Sequence, residues 1–360
     1  MTDLFEPITA GKFSLSNRIV MAPLTRNRAD ADGVPQQIAA IYYGQRAGAG
    51  LIISEGTQPS AVGQGYANTP GLHSDEQIEG WRAVADAVHA GGSQIVVQLM
   101  HTGRIGHPDN KHGLELVAPS AIAAPDQIFT PGGMQAYPVP RELGVEELPG
   151  VVGEFVTAAR NAIEAGLDGV ELHAANGYLL HQFLAPSSNV RTDSYGGSAA
   201  NRARFVIEVA QAVAEAIGPD RVGIRISPAH NIQGVLESDP AETAATYQAL
   251  IEGIAPLGLA YLHALADPRS ELIQQLRAAF GGVFIANNGF ASVTTKQDAE
   301  QILADGVAEL IAVGRPFLAN PDLPRRWQLD AQLNEPDPDT FYTPGPRGYI
   351  DYPTLEEAAG

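Results

Sequence analysis

Cysteine is absent from the 360-residue chain. Its absence removes disulfide staples, thiolate nucleophiles, Cys-ligated zinc and Cys-ligated iron–sulfur clusters together. A chain this long buries about three quarters of the surface it exposes when unfolded, so it needs no staple. Basic side chains are also scarce: 22 Lys and Arg stand against 41 Asp and Glu, a formal charge of −19. Binding a nucleic-acid backbone requires clustered cations, so nucleic acid is not an expected partner. No apolar run approaches the roughly 18 residues of a membrane helix. The opening residues MTDLFEPITAGK show neither the charged nor the apolar region of an export signal. The expectation is a soluble cytoplasmic protein with no membrane partner. Glycine (38) and proline (26) together stay below the roughly 25–30 per cent share that marks low-complexity disorder.

Short runs rich in β-branched and apolar residues recur between longer helical stretches, the pattern of parallel strands with crossover helices. Eight such runs are present, at 18–22, 51–54, 94–99, 169–172, 222–226, 259–262, 283–286 and 308–313. Eight strands close a barrel, and the predicted fold is a (β/α)8 barrel forming a single domain over 1–360. Several helix starts are readable. Ser74-Asp-Glu-Gln77 has the form of a capping box, Asp239-Pro240 with Glu242 puts proline in a first turn, and Asn320-Pro321 is expected to do the same after the last strand. The barrel needs about 250 residues. Much of the surplus lies at 104–150, a Gly-, Pro- and Ala-rich stretch with two candidate short strands, read as an excursion folded over the barrel mouth. The rest is a leading segment, 1–17, and a tail, 333–360. The alternative is an open doubly wound sheet, but no G-x-G-x-x-G follows any strand.

In such a barrel the chemistry collects at the carboxyl ends of the strands. Those ends read Pro23-Leu24-Thr25, Glu55-Gly56, Gln98, His173, Arg225, His263, Asn288-Gly289 and Gly314-Arg315. They are polar where the runs are apolar. The last two, NNGF and VGRP, stand where barrels commonly hold phosphate: glycines admit close backbone N–H groups and Arg315 supplies charge. The plainer alternative is a pair of tight turns with Arg315 on a surface carboxylate. Arg225, at the end of a core strand, needs an anionic or carbonyl partner, either a ligand or a neighbouring side chain.

The densest cluster is Glu171-Leu-His173-Ala-Ala-Asn176-Gly-Tyr178-Leu-Leu-His181-Gln-Phe-Leu. If the chain turns helical after Leu172, His173 and Asn176 share a face at i and i+3, and both can donate to one acceptor. Tyr178, with an ordinary phenol pKa near 10, suits proton delivery to a carbanion-like centre. Taken singly, each also reads as a loop histidine, a turn asparagine and a core-edge tyrosine.

The run HAANGYLLHQFLAPSSNVRTDSYGGSAANRARF (173–205) resembles the Old Yellow Enzyme family of FMN-dependent ene-reductases. So do NRIVMAPLTRNRA (17–29), YYGQRAGAGLIISEGT (42–57), VVQLMHTGRIGH (96–107), VGRPFLANPDLPRR (313–326) and GYIDYPTLEEA (348–358), in family order along nearly the whole chain. The resemblance implies a non-covalent FMN in a (β/α)8 barrel, reduced by NADPH or NADH and passing hydride to an activated alkene. It implies that Pro23, Thr25, Gly56, Gln98 and Arg225 surround the isoalloxazine ring. Asn288, Gly289, Gly314 and Arg315 fall at the FMN phosphate. His173 and Asn176 grip the substrate oxygen, Tyr178 gives the proton, and Tyr66, Met100 and Tyr349 line the substrate side. Enones, enals and nitro compounds are the implied substrates, and a monomer or homodimer the implied assembly.

This chain departs from some relatives. Asn176 stands where some carry a second histidine, Met100 where many carry tryptophan, and Thr25 where others have cysteine. A flexible thioether in place of a rigid indole widens that side of the pocket. Two other readings keep the same flavin residues: reduction of nitrate esters or nitroaromatics, and a non-catalytic flavin sensor. A phosphate-binding aldolase would need a Schiff-base lysine at a strand end, and none of Lys12, Lys111 and Lys296 is placed there.

Overall fold

Each of the eight apolar runs pairs in parallel with the next, and the last pairs with the first, in a computed structural model that describes residues 3–289 and 292–359. An antiparallel hairpin, β1 (Ile8–Ala10) and β2 (Phe13–Leu15), precedes the barrel strands β3 (Ile19–Met21), β4 (Leu51–Thr57) and β5 (Gln94–Leu99). A loop region follows with two small pairs. In it β6 (Val117–Ala118) lies parallel to β9 (Arg141–Glu142), and β7 (Gln127–Thr130) forms a hairpin with β8 (Gly133–Ala136). The barrel resumes with β10 (Gly169–Ala174), β11 (Val222–Ile226), β12 (Tyr261–Leu265), β13 (Val283–Asn287) and β14 (Leu310–Val313). The closed order is β10-β11-β12-β13-β14-β3-β4-β5, a (β/α)8 barrel and not an open sheet.

Pleat alternation divides the strand residues between two cores. Ile52, Val97, Leu172, Ile224 and Leu262 join the layer between barrel and helices. Val20, Leu51, Ile53, Val96, Ile285 and Leu310 join a second cluster with Phe13 and Leu15 of the hairpin, which thereby plugs the amino end of the barrel. Each aliphatic side chain fully buried in this way contributes about 1.5–3 kcal/mol. Toward the carboxyl end the same inward-facing columns turn polar, at Gln98, Glu171, Arg225, His263 and Asn287, all buried.

Three expectations need correction. The run 259–262 begins two residues early, and His263 lies inside β12 rather than past it; β10 likewise extends through His173 to Ala174. An inward polar residue at the mouth continues a strand that hydropathy alone would end. Asn320 does not open a helix: its backbone N–H caps the end of the helix Arg315–Ala319, and Asp322 precedes the next one, Leu323–Gln328. The excursion holds four short strands instead of two, and the helix Leu148–Glu164 already starts within it. The other two helix starts are as read: Ser74 and Gln77 form a reciprocal capping box, and the Asp239 side chain accepts from Ala241 and Glu242.

Ring packing at the amino end depends on glycine. A Cβ at Gly223 would lie 2.1 Å from the Tyr261 ring, inside any tolerable contact. Gly223→Ala is therefore expected to lower unfolding free energy by about 1–3 kcal/mol. Urea denaturation checks this; an unchanged midpoint would mean the ring can move aside.

Candidate active site

Glu171 organises the mouth of the barrel. Its side chain is fully buried, one oxygen accepting from Gln98 Nε2 at 2.8 Å and the other pairing with His263 Nδ1 at 2.9 Å. Burial pushes its carboxyl up, but His263, Arg225 and the Gln98 bond outweigh that and hold it below the usual carboxylate range. Arg225, one strand over, gives Nη2 to Asn287 Oδ1 at 3.4 Å, while its Nε is buried with no partner among the described residues. Burial lowers the guanidinium pKa and Glu171 opposes the shift. His173 is neutral: burial first, then the Arg225 charge, keeps its imidazole well below the ordinary value.

The turn after β10 brings His173, Asn176 and Tyr178 together by a route other than the predicted helical face. Asn176 and Gly177 both adopt left-handed backbone, with φ of 57° and 83°, so the chain reverses there and the next helix, Leu179–Leu184, starts only after Tyr178. Asn176 N–H donates to Ser227 Oγ at 2.9 Å, and its carbonyl accepts from Gln233 Nε2 at 2.7 Å. Gly177 N–H donates to His181 Nδ1 at 2.9 Å, which leaves the other His181 nitrogen facing Glu237 at 3.3 Å. His173 Nδ1 and Asn176 Oδ1 are buried with no hydrogen-bond partner among the described residues. The Tyr178 ring stands edge-on to His173 with centroids 5.1 Å apart, and its hydroxyl lies 3.1 Å from that of Tyr66. Burial raises the Tyr178 phenol above its usual pKa, with the Tyr66 and Gln233 contacts pulling the other way.

Two cavities open here. The inner one, about 330 Å³, is lined by Pro23, Thr25, Gly56, Gln98, Met100, His173, Asn176, Tyr178, Arg225, Gly289, Gly314 and Arg315, twelve of the residues singled out from sequence. The outer one, about 760 Å³, is lined by Tyr66 together with Phe129 and Tyr137 of the loop excursion, and it shares Thr25, Tyr178 and Tyr342 with the first. Asn288 lines neither cavity: the inward position at the end of β13 belongs to Asn287. Phe290, the last residue of the NNGF motif, lies outside the described residues.

Tyr349 does not line the substrate side. It is fully buried, stacked on Tyr42 at 4.0 Å, with the Arg26 and Arg28 guanidiniums over its ring. The tail segment that carries it also carries Tyr342, which does face both cavities. Arginine–carbonyl bonds hold the segment: Arg26 donates to Phe341 and Gly348, and Arg28 to Thr340, Phe341, Gly345 and Arg347. Sequence reading missed Tyr342, Asn287 and Gln233. The paired NRA arginines at 26 and 28 were the one available signal that something distant is tied to this mouth.

The geometry can be set beside known proteins. Residues 3–334 match the model of the NADH:flavin oxidoreductase / NADH oxidase family. The chain is 44% identical to 12-oxophytodienoate reductase 1 of Oryza sativa subsp. japonica, over 98% of this chain and 93% of that one. The solved old yellow enzyme homologue from Zymomonas mobilis superposes with a TM-score of 0.93 at 41% identity, covering 98% of this chain and 100% of that one. Morphinone reductase in complex with tetrahydroNAD gives 0.92 at 45%, covering 100% and 99%. The chain belongs to the NADH:flavin oxidoreductase / NADH oxidase family.

The Glu171 network makes a prediction of its own. Removing one member of a buried ion pair costs about 3–5 kcal/mol, so Glu171→Gln should destabilise the fold by that order. The carboxyl is held below its unfolded value of about 4.3, so its contribution is complete above that pH and is lost as pH falls through the lower folded value. Unfolding free energy measured from pH 7 to pH 3 should therefore decline less in the variant. Parallel curves would mean that Glu171 does not contribute through its charge.

Proposed function

We propose that this member of the flavin oxidoreductase family reduces the activated C=C bond of α,β-unsaturated carbonyl compounds, with FMN in the inner cavity and NADPH as reductant. One observation carries the reading. The inner cavity gathers a buried cation, two polar groups unpartnered among the described residues and a phenol around one space, with glycines and an arginine also in its lining.

The residues fit a flavin mononucleotide. Arg225 has a buried N–H with no partner among the described residues, suited to an electron-rich ring edge. Gln98 has its amide nitrogen fixed on Glu171, so its carbonyl is the group left to accept from the ring. Thr25 and Gly56 line the same cavity, and a Cβ at Gly56 would drive into Met100 at 2.5 Å. Gly289, at a φ of 91°, and Gly314 lie with Arg315 at the rim, where backbone N–H groups and a guanidinium suit a phosphate. FMN, when bound, supplies the hydride chemistry, and the protein supplies orientation and electrostatics.

His173 and Asn176 then act on the substrate oxygen. A neutral imidazole and an amide, already buried, can donate to the oxygen as negative charge develops on it, without the cost of reorganising water. Tyr178 delivers its phenolic proton to the carbon next to the carbonyl, a general-acid role. With the hydride supplied to the other face of the alkene, protonation by Tyr178 would give net trans addition.

Purified protein should be yellow, or should take up FMN when it is offered; a colourless protein that binds no flavin overturns the reading. Tyr178→Phe should slow alkene reduction by about 10²–10⁴-fold. Stopped-flow measurement should confine the loss to the half-reaction that protonates the substrate, and equal losses in both halves would refute the assignment. His173→Ala should weaken phenol binding by about tenfold or more in a flavin spectral titration, since a buried hydrogen bond to a developing anion is lost. Turnover of a nitrate ester without any turnover of cyclohexenone would redirect the proposal to nitro and nitrate-ester substrates.

A further inference from the structure

We infer that Tyr66 is a proton relay to Tyr178, and that Gln233 sets the direction in which this relay rests. The inference rests on Tyr178 being the proton donor. It follows from three linked contacts: Tyr178 Oη to Tyr66 Oη at 3.1 Å, Tyr66 Oη to Gln233 Oε1 at 3.3 Å, and Gln233 Nε2 to the Asn176 carbonyl at 2.7 Å.

The polarity of the chain is fixed from its far end. A carbonyl only accepts, so the amide of Gln233 must turn its nitrogen to Asn176 and its oxygen to Tyr66. That oxygen in turn only accepts, so Tyr66 donates to it. With its hydrogen committed, the Tyr66 oxygen has only lone pairs left for Tyr178, and Tyr178 must donate to Tyr66. At rest, therefore, the Tyr178 proton is parked on Tyr66 rather than aimed at substrate. Gln233 itself sits at a φ of 54°, a left-handed conformation uncommon for a non-glycine residue and a mark of stored strain. The Ile232–Val235 bridge holds the turn closed, and Gly177 leaves room for it: a Cβ there would stand 3.0 Å from that of Gln233.

When Tyr178 gives its proton, its O–H bond breaks as a C–H bond forms on the substrate, and a phenolate remains. Tyr66 then turns its hydrogen away from Gln233 and passes it to the phenolate oxygen. Tyr66 faces the outer cavity, whose volume of about 760 Å³ far exceeds the roughly 30 Å³ share of one water. Water there returns a proton to Tyr66, and one solvent proton enters for each alkene reduced. Tyr66 is thus a relay residue and Gln233 a positioning residue.

Two substitutions test this. Tyr66→Phe removes a donor to the Tyr178 phenolate, so the Tyr178 phenol should titrate at higher pH. Gln233→Met frees the Tyr66 hydrogen to bond the phenolate but also removes a contact that itself pulls the Tyr178 phenol down, so it should move the Tyr178 titration less than Tyr66→Phe does. The readout is alkaline titration of the 13Cζ-tyrosine NMR signals of the FMN-loaded protein, with the Tyr178 signal assigned by its loss in Tyr178→Phe. In the same Tyr66→Phe protein, alkene reduction should show a fast first turnover followed by slower ones, because the first proton is already in place. An unmoved Tyr178 titration in Tyr66→Phe, or a shift in Gln233→Met as large as the one in Tyr66→Phe, overturns the relay. Failure of Tyr178→Phe to slow alkene reduction would instead overturn the donor role on which it rests.

Discussion

A buried guanidinium at the open end of the barrel is the constraint from which the rest of the mouth follows. Removing a cation from water carries an effective cost of several kcal/mol, which only a well-placed countercharge offsets. Glu171 is that countercharge, two strand positions toward the amino end from His173 and on the strand beside Arg225. Being an acceptor on both oxygens, it dictates its neighbours: Gln98 must present N–H₂ and His263 must present an N–H. Each is thereby fixed in rotamer and polarity before any ligand arrives. The positive field of Arg225 also helps keep His173 neutral, so one pairing bears on the charge state of two histidines and on the orientation of Gln98.

A second set of arginines does different work. Arg26, Arg28 and Arg46 donate almost wholly to backbone carbonyls, gathering segments around residues 317–318 and 340–349 onto the first helix and the β3 end. Carbonyl groups of irregular chain need donors when buried, and a planar fork with five N–H groups satisfies several at once. Tyr42 and Tyr349 stack between these guanidiniums, so the cluster is held by ring faces as well as by hydrogen bonds. Glu55 completes it by accepting from the Arg26 backbone at 3.0 Å, which anchors the residue beside Thr25. The outcome is a tail fastened tightly enough to present Tyr342 at the junction of the two cavities.

How much of this the sequence revealed depended on where the physics was local. Strand order, the eightfold count and the Ser74 and Asp239 caps follow from patterns a few residues long, and they were legible. Twelve of the residues singled out for the site line one cavity because barrel topology gathers the strand ends and the first residues of the loops that leave them. Strand length at β10 and β12 was misjudged, since hydropathy treats His173 and His263 as ends while the barrel interior accepts them as inward positions. Tyr349 was assigned to the substrate side and Tyr342 was missed, because the placement of both is set by arginines some 300 residues away in the chain. Gln233 was invisible for a similar reason: its meaning lies in a partner on another loop.

Asn176 shows how backbone demands and chemistry can be met by one residue. Left-handed φ favours Asn or Gly over most side chains, so the reversal after β10 restricts the choice before function enters. The main-chain N–H and carbonyl are both engaged, by Ser227 and Gln233, and the side-chain amide is left to face the cavity uncommitted. Histidine also tolerates this conformation, but an amide carries no charge at any pH. Burial and the Arg225 charge already suppress protonation of His173 nearby. His173 and Asn176 thus form a pair of uncharged donors, and asparagine supplies the turn as well.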